Sequence, residues 1–308
     1  MKRLHASAVL AICGLAAFAV LTAPAIARKP AKNPKQGNTG SPVKCAPVVP
    51  GSRYLALGDS VTFGYEESSV VPAPNYKDAA SFANYPQILG QEYHLNVANA
   101  SCPGETSSSL INTSAPSNGC ENNPAHSSSN YRTLFPLHVS YSGSQLAYAL
   151  SYLHGHGNVR LVSLMIGAND FFVCQETTSD HCASSAEQAA TSATVTKNVK
   201  TILSAIRNRA HYNGQIVVVN YYSLNYASAA INAESQLVNR AQDAGTQGFH
   251  VEFADGFGEF QAGALHSGGN SCTAGLLTML SAGGCGVHPS YSGQGLLAQA
   301  VAKTIKLT

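Results

Sequence analysis

Charge is scarce in this 308-residue chain, where Asp, Glu, Lys and Arg together make up 11%. With residues 1–44 set aside, eleven cations face sixteen acids, a formal −5, so the body lacks the basic footprint of a nucleic-acid-binding protein. Neither a C-x-x-C nor a His-x-x-x-His spacing occurs, which argues against a zinc site, and no metal or cofactor is expected. Long apolar runs are wanting too: the stretch from about Ala6 to Leu21 is short of the ~20 residues a membrane span needs. Internal repeats and a second linker are also missing. The 264 residues from Cys45 onward are therefore read as one sizeable α/β domain.

The apolar run follows Lys2 and Arg3 and ends in Thr22-Ala23-Pro24-Ala25-Ile26-Ala27. A basic start, a short apolar middle and a small-x-small ending predict a secretory signal peptide over 1–27, cleaved after Ala27. Residues 28–44 carry five cations, three prolines and no acid. They cannot bury enough apolar surface to offset their ordering entropy and read as a flexible tether. Its cations suit weak contact with anionic cell-surface polymers, although a plain linker is the simpler role.

Within the body, five apolar runs read as strands: Tyr54–Leu57, Leu95–Ala98, Val159–Ile166, Gln215–Asn220 and Phe249–Phe253. Helical patterns lie between them near Ser81–Tyr93, Gln145–Leu153, Ala186–Arg209 and Ala229–Ala244, with a last one over Ser292–Ile305. In the third helix Val195, Val199, Ile202, Leu203 and Ile206 share one face. Strands alternating with helices predict a parallel sheet covered on both sides, as does the unbroken apolar character of the strands.

Seven cysteines remain beyond the leader. Outside the cell, close pairs within loops are expected to form disulfides: Cys102–Cys120, Cys174–Cys182 and Cys272–Cys285. Cys45, beside the tether, is left over.

The chemistry gathers at strand ends. Tyr54-Leu55-Ala56-Leu57-Gly58-Asp59-Ser60 sets a serine just past the carboxyl end of the first strand, the edge at which open α/β sheets bind ligands. Ser60 is thus the candidate nucleophile. After the second strand, Gly104 can bring a backbone N–H close to a ligand, having no side chain in the way. After the third, Asn169 in Gly167-Ala168-Asn169-Asp170 can donate to a developing oxyanion. Near the carboxyl terminus, His288 precedes the last helix. Each of these residues taken singly also serves as an ordinary turn or cap residue.

Together and in this order, GDSVTFG at 58–64, the stretch Asn99–Thr106, GAND at 167–170 and VHPSYSGQG at 287–295 resemble the SGNH hydrolase superfamily, the GDSL-type lipases and esterases. The likeness runs from about Arg53 to the carboxyl terminus. It implies a flavodoxin-like three-layer α/β/α sandwich with a five-stranded parallel sheet. It implies Ser60 as nucleophile, His288 as general base, and the Ser60 N–H, Gly104 N–H and Asn169 amide as oxyanion donors. Some secreted actinobacterial relatives resemble this chain in having local disulfides and a main-chain carbonyl behind the histidine.

One position departs from that pattern. The family usually carries an aspartate three residues before the histidine, and here that residue is Cys285. The expectation is therefore a Ser–His dyad whose histidine is oriented by a backbone carbonyl near Cys285. Asp255, just past the fifth strand, is the alternative acid.

The resulting expectation is a secreted, monomeric carboxylic ester hydrolase acting on a small-molecule or lipid ester. Its substrate walls would be the insertions 107–140 and 256–284. The alternatives are a carbohydrate acetylesterase on the same machinery and a non-catalytic binding module that keeps the fold.

Overall fold

The computed structural model describes residues 45–126 and 130–307; the leader and the tether lie outside these. Five parallel strands form the central sheet: β1 (Arg53–Gly58), β2 (Asn96–Asn99), β3 (Val159–Met165), β4 (Gln215–Val219) and β5 (Glu252–Ala254). Their order is β2-β1-β3-β4-β5. This is the flavodoxin-like order, in which β1 and β3 flank the switch point where connections leave for opposite faces, opening a crevice beyond the strands' carboxyl ends. The expected sandwich is therefore present.

Alternation along β1 divides the core. Tyr54 and Ala56 join one apolar cluster with Val217 and Val219, while Leu55 and Leu57 join a second with Val162 and Leu164. The first cluster is covered by α2 (Tyr85–Glu92), α8 (Gly256–Ala264) and α9 (Tyr291–Thr304), through Tyr85, Leu89, Phe260, Leu297 and Val301. The second is covered by α4 (Gln145–Gly155) and α6 (Ser185–Ser204). The predicted stripe of Val195, Val199, Ile202, Leu203 and Ile206 is wholly buried, each side chain contributing about 1.5–3 kcal/mol of transfer free energy.

Three further helices, α1 (Ser60–Phe63), α3 (Tyr131–Leu134) and α5 (Ala168–Thr177), sit in or after the strand-end loops, and α7 (Ala229–Thr246) packs on α6. An antiparallel ribbon of β6 (Leu277–Met279) and β7 (Cys285–Pro289) completes the carboxyl-terminal region. Residues 69–71 extend this ribbon through Val71 N–H to Met279 O (3.1 Å) and Ser281 N–H to Ser69 O (2.7 Å). Among the described residues no helix is long and apolar enough to cross a membrane.

The three disulfides have the expected pairings, Cys102–Cys120, Cys174–Cys182 and Cys272–Cys285, and Cys45 is outside them. The fifth strand differs from expectation, starting at Glu252 rather than Phe249. His250 takes a left-handed φ of 50°, and Arg207 draws the carbonyls of Phe249 and His250 to its guanidinium, so this stretch cannot join the ladder.

Candidate active site

The nucleophile turn is built by close approach. Gly58 has φ 153°, and a Cβ there would lie 2.4 Å from Met165 O and 2.3 Å from Thr62 Oγ1, so only glycine fits. Asp59 then caps α1, its Oδ1 accepting from Val61 N–H at 3.0 Å. Ser60 opens the helix, 9% exposed, and its N–H is one of the amides a helix start leaves unpaired. Burial pushes the Asp59 carboxyl up to about 6, although Tyr221 Oη donating to Oδ2 at 2.5 Å and the neighbouring His288 favour its charged form.

The loops after β2 and β3 are tied to one another. Ser107 donates through N–H (2.8 Å) and Oγ (2.6 Å) to the two oxygens of Asp170. Burial raises Asp170 to about 6 against these bonds. Gly104, at φ 81°, has no acceptor for its N–H among the described residues. Asn169 is not a helix cap, because that place belongs to Gly167. Its Oδ1 accepts from Asn118 Nδ2 at 2.8 Å, which leaves its own Nδ2 without a protein acceptor among the described residues.

His288 lies on β7, where its ring meets Tyr65 edge-on with centroids 5.1 Å apart. Its Nδ1 pairs with Glu67 Oε1 at 2.7 Å, both side chains being largely buried. Glu67 Oε1 also accepts from Val287 N–H (3.1 Å), and its Oε2 from Thr278 Oγ1 (3.1 Å). Burial alone would raise the Glu67 carboxyl, but the hydrogen bond and charge of His288 hold it down at about 2.

The expectation of a backbone carbonyl near Cys285 behind His288 is thereby corrected. His288 Nδ1 is taken by the Glu67 carboxylate, and the Cys285 side chain is spent on Cys272. Gly286 is two residues from His288 and shares its face; a Cβ there would sit 2.5 Å from both Glu67 carboxylate oxygens. The missing side chain is the space that Glu67 fills. Asp255 is not the substitute acid either: it caps α8, accepting from Gly258 N–H (2.9 Å) and Asn220 Nδ2 (3.3 Å), beyond β5, a strand three places from β1.

Glu67 is the site residue that sequence reasoning missed. Its only signal was a Glu66-Glu67 pair seven residues beyond Ser60, in a chain with few acids. Two groupings have metal-like proximity among the described residues, Cys102–Glu105–Cys120 and Cys174–Cys182–Glu187. In each, both sulfurs are bound in a disulfide and offer no thiolate to a metal. A surface cavity of about 680 Å³ beside α2, lined by Phe82, Gln87, His138 and Tyr291 among others, includes none of Ser60, Gly104, Asn169 or His288.

The sequence pattern of the GDSL-like lipase/acylhydrolase family matches residues 56–296. Among solved structures, phospholipase A1 from Streptomyces albidoflavus NA297 is 19% identical, with 82% of this chain and 99% of that one covered and a TM-score of 0.51. The lipase Lip_vut3 from a goat rumen metagenome is 14% identical, with 82% and 96% covered and a TM-score of 0.51. At these identities the likeness is one of fold. Comparison with curated proteins gives no match.

Proposed function

The chain belongs to the GDSL-like lipase/acylhydrolase family and is a hydrolase, and from that premise we propose that it cleaves carboxylic esters by acyl transfer through Ser60, outside the cell. The observation that carries this reading is the His288 Nδ1 to Glu67 Oε1 contact at 2.7 Å. A carboxylate there keeps the proton of neutral imidazole on Nδ1 and frees Nε2 to act as base toward Ser60.

Ser60 Oγ attacks the ester carbonyl as its proton passes to Nε2. The oxyanion takes hydrogen bonds from the Ser60 and Gly104 N–H groups and from Asn169 Nδ2. The imidazolium, steadied by Glu67, returns the proton to the leaving alcohol. Water repeats the sequence on the acyl-enzyme, releasing the acid and restoring Ser60.

The apolar flank of His288 suits an ester with an acyl chain. Tyr65, against His288, stacks within a cluster of Phe63, Tyr76, Phe82, Tyr131 and Phe135. Lipid or short acyl esters are the proposed substrate class. The three disulfides suit an oxidising compartment, in keeping with the leader read at 1–27.

The test is hydrolysis of p-nitrophenyl acetate, butyrate and a longer ester by wild type and Ser60→Ala. The variant should be inactive with unchanged thermal melting, and the chain-length profile of the wild type then ranks acyl preference. Activity of Ser60→Ala within about tenfold of wild type would sink the assignment, because a triad nucleophile is worth several orders of magnitude.

A further inference from the structure

We infer that Asn118 is a positioning residue for the oxyanion site, governing the two donors that lie outside the nucleophile turn; this rests on the oxyanion reading above. Asn118 lies in the loop after β2, half-buried, two residues before Cys120, which is bonded to Cys102. Its backbone N–H donates to Gly104 O at 2.7 Å. Its own carbonyl oxygen would lie 2.3 Å from a Cβ at Gly104, so the two backbones are in close contact and residue 104 must be glycine. That contact holds Gly104 in its left-handed conformation from the carbonyl side.

The side chain does the second task. An asparagine amide has two ends of nearly equal shape, and only the NH₂ end can stabilise an oxyanion; the C=O end repels it. Asn118 Nδ2 donates to Asn169 Oδ1 at 2.8 Å, which selects the orientation leaving Asn169 Nδ2 as the free end. The Asn118 amide is itself oriented, since its Oδ1 accepts from Asn123 Nδ2 (3.2 Å), and Asn123 Nδ2 also donates to Glu176 Oε2 (3.2 Å). A carboxylate on α5, the helix carrying Asn169, thus sets the polarity of the chain Glu176–Asn123–Asn118–Asn169. Asn118 needs no contact with substrate.

A double-mutant cycle tests this, reading kcat and KM separately for p-nitrophenyl butyrate in wild type, Asn118→Ala, Asn169→Ala and the double variant. Asn169→Ala should lower kcat by about 10²–10³ with KM little changed, the effect of losing one oxyanion donor. Asn118→Ala should lower kcat by about tenfold or more in the wild type, yet less than about twofold once Asn169 is gone, because coupling runs through that residue. Asn118→Asp, which keeps the size and the Asn123 contact, should be worse than alanine, since an acceptor facing Asn169 Oδ1 turns that amide over.

Effects of Asn118→Ala and Asn169→Ala that simply multiply, or an unchanged kcat in Asn118→Ala, overturn the inference while leaving the oxyanion reading in place. An unchanged kcat in Asn169→Ala overturns the oxyanion reading and the inference with it. If Asn118→Ala fails to melt cooperatively, Asn118→Asp alone and with Asn169→Ala supplies the same cycle. Failure of both to fold makes Asn118 a folding residue and also overturns the inference.

Discussion

Replacing Glu67 by Gln and by Ala separates the two tasks of the acid behind a catalytic histidine, tautomer control and charge. In Glu67→Gln the carbonyl oxygen should keep the place of Oε1, because Val287 N–H at 3.1 Å requires an acceptor. The amide NH₂ would then face Thr278 Oγ1, which can accept as readily as it now donates at 3.1 Å. His288 Nδ1–H keeps its acceptor and the tautomer is preserved; only the negative charge is lost. A hydrogen bond to a charged group is worth about 1.5–3 kcal/mol net against about 0.5–1.5 for a neutral one, so the loss is about 1–1.5 kcal/mol. At about 1.4 kcal/mol per tenfold, kcat should fall roughly tenfold. Glu67→Ala removes the acceptor as well, and the loss of about 10⁴ in kcat that follows when a serine-protease triad is deprived of tautomer control sets the scale. The assay is kcat on p-nitrophenyl butyrate, with thermal melting to show that both variants are folded. Equal losses in Gln and Ala would refute the partition, and an alanine variant within tenfold of wild type would show that Glu67 does not orient His288 at all.

Gly286→Ala should reproduce much of the Glu67→Ala defect in kcat with the fold intact, since the added Cβ would stand 2.5 Å from the carboxylate; full activity would mean the ribbon gives way at no cost. Because the Glu67 carboxyl is held at about 2 against 4.5 when free, its contribution to stability is present above about pH 4.5 and lost as pH falls toward 2. Urea unfolding across that range should therefore show a decline that Glu67→Gln flattens. Asp59 has the opposite sign: raised from 3.8 to about 6 by burial, it favours the fold below about pH 3.8 and loses that contribution as pH rises through 6. Asp59→Asn should remove that part of the pH dependence, a change visible in the same urea series. Asp255→Asn should leave kcat within a few-fold, as expected of a helix cap that takes no part in the chemistry; a hundredfold loss would restore it as the acid.

The sheet was legible because parallel strands buried on both faces write themselves as unbroken apolar runs, and four of the five begin within one residue of expectation. The fifth was misplaced by forces outside the strand, the pull of Arg207 on two carbonyls, for which local sequence carries no sign. Helix α8 was hidden by Gly256, Gly258 and Gly263, which count against a helix, yet Asp255 caps it and Phe260 is wholly buried beneath it. Helix α5 starts without a side-chain cap, so the usual start signal was missing. Ser60, Gly104 and Asn169 stand out as candidates because each follows a readable strand by a few residues, and strand ends are where open α/β sheets bind ligands.

Glu67 escaped because spacing along the chain hides a contact made between segments 221 residues apart. The residue three before His288 is Cys285, whose side chain is committed to Cys272 by a disulfide and so offers nothing to the imidazole. The face that does look toward Glu67 is occupied at 286 by glycine, which leaves a gap beside His288 and a demand for a carboxylate from elsewhere. That carboxylate comes from just before residues 69–71, the segment that meets β6 through Val71 N–H to Met279 O, with Val70 opposite Leu280 just past the strand. The same ribbon is stapled through Cys285 to Cys272. Cys285, three residues before His288, thus secures the ribbon beside which Glu67 is held. The partner of His288 is thus set across the ribbon, by the space at Gly286 and the segment that brings Glu67 into it, and not by spacing along β7.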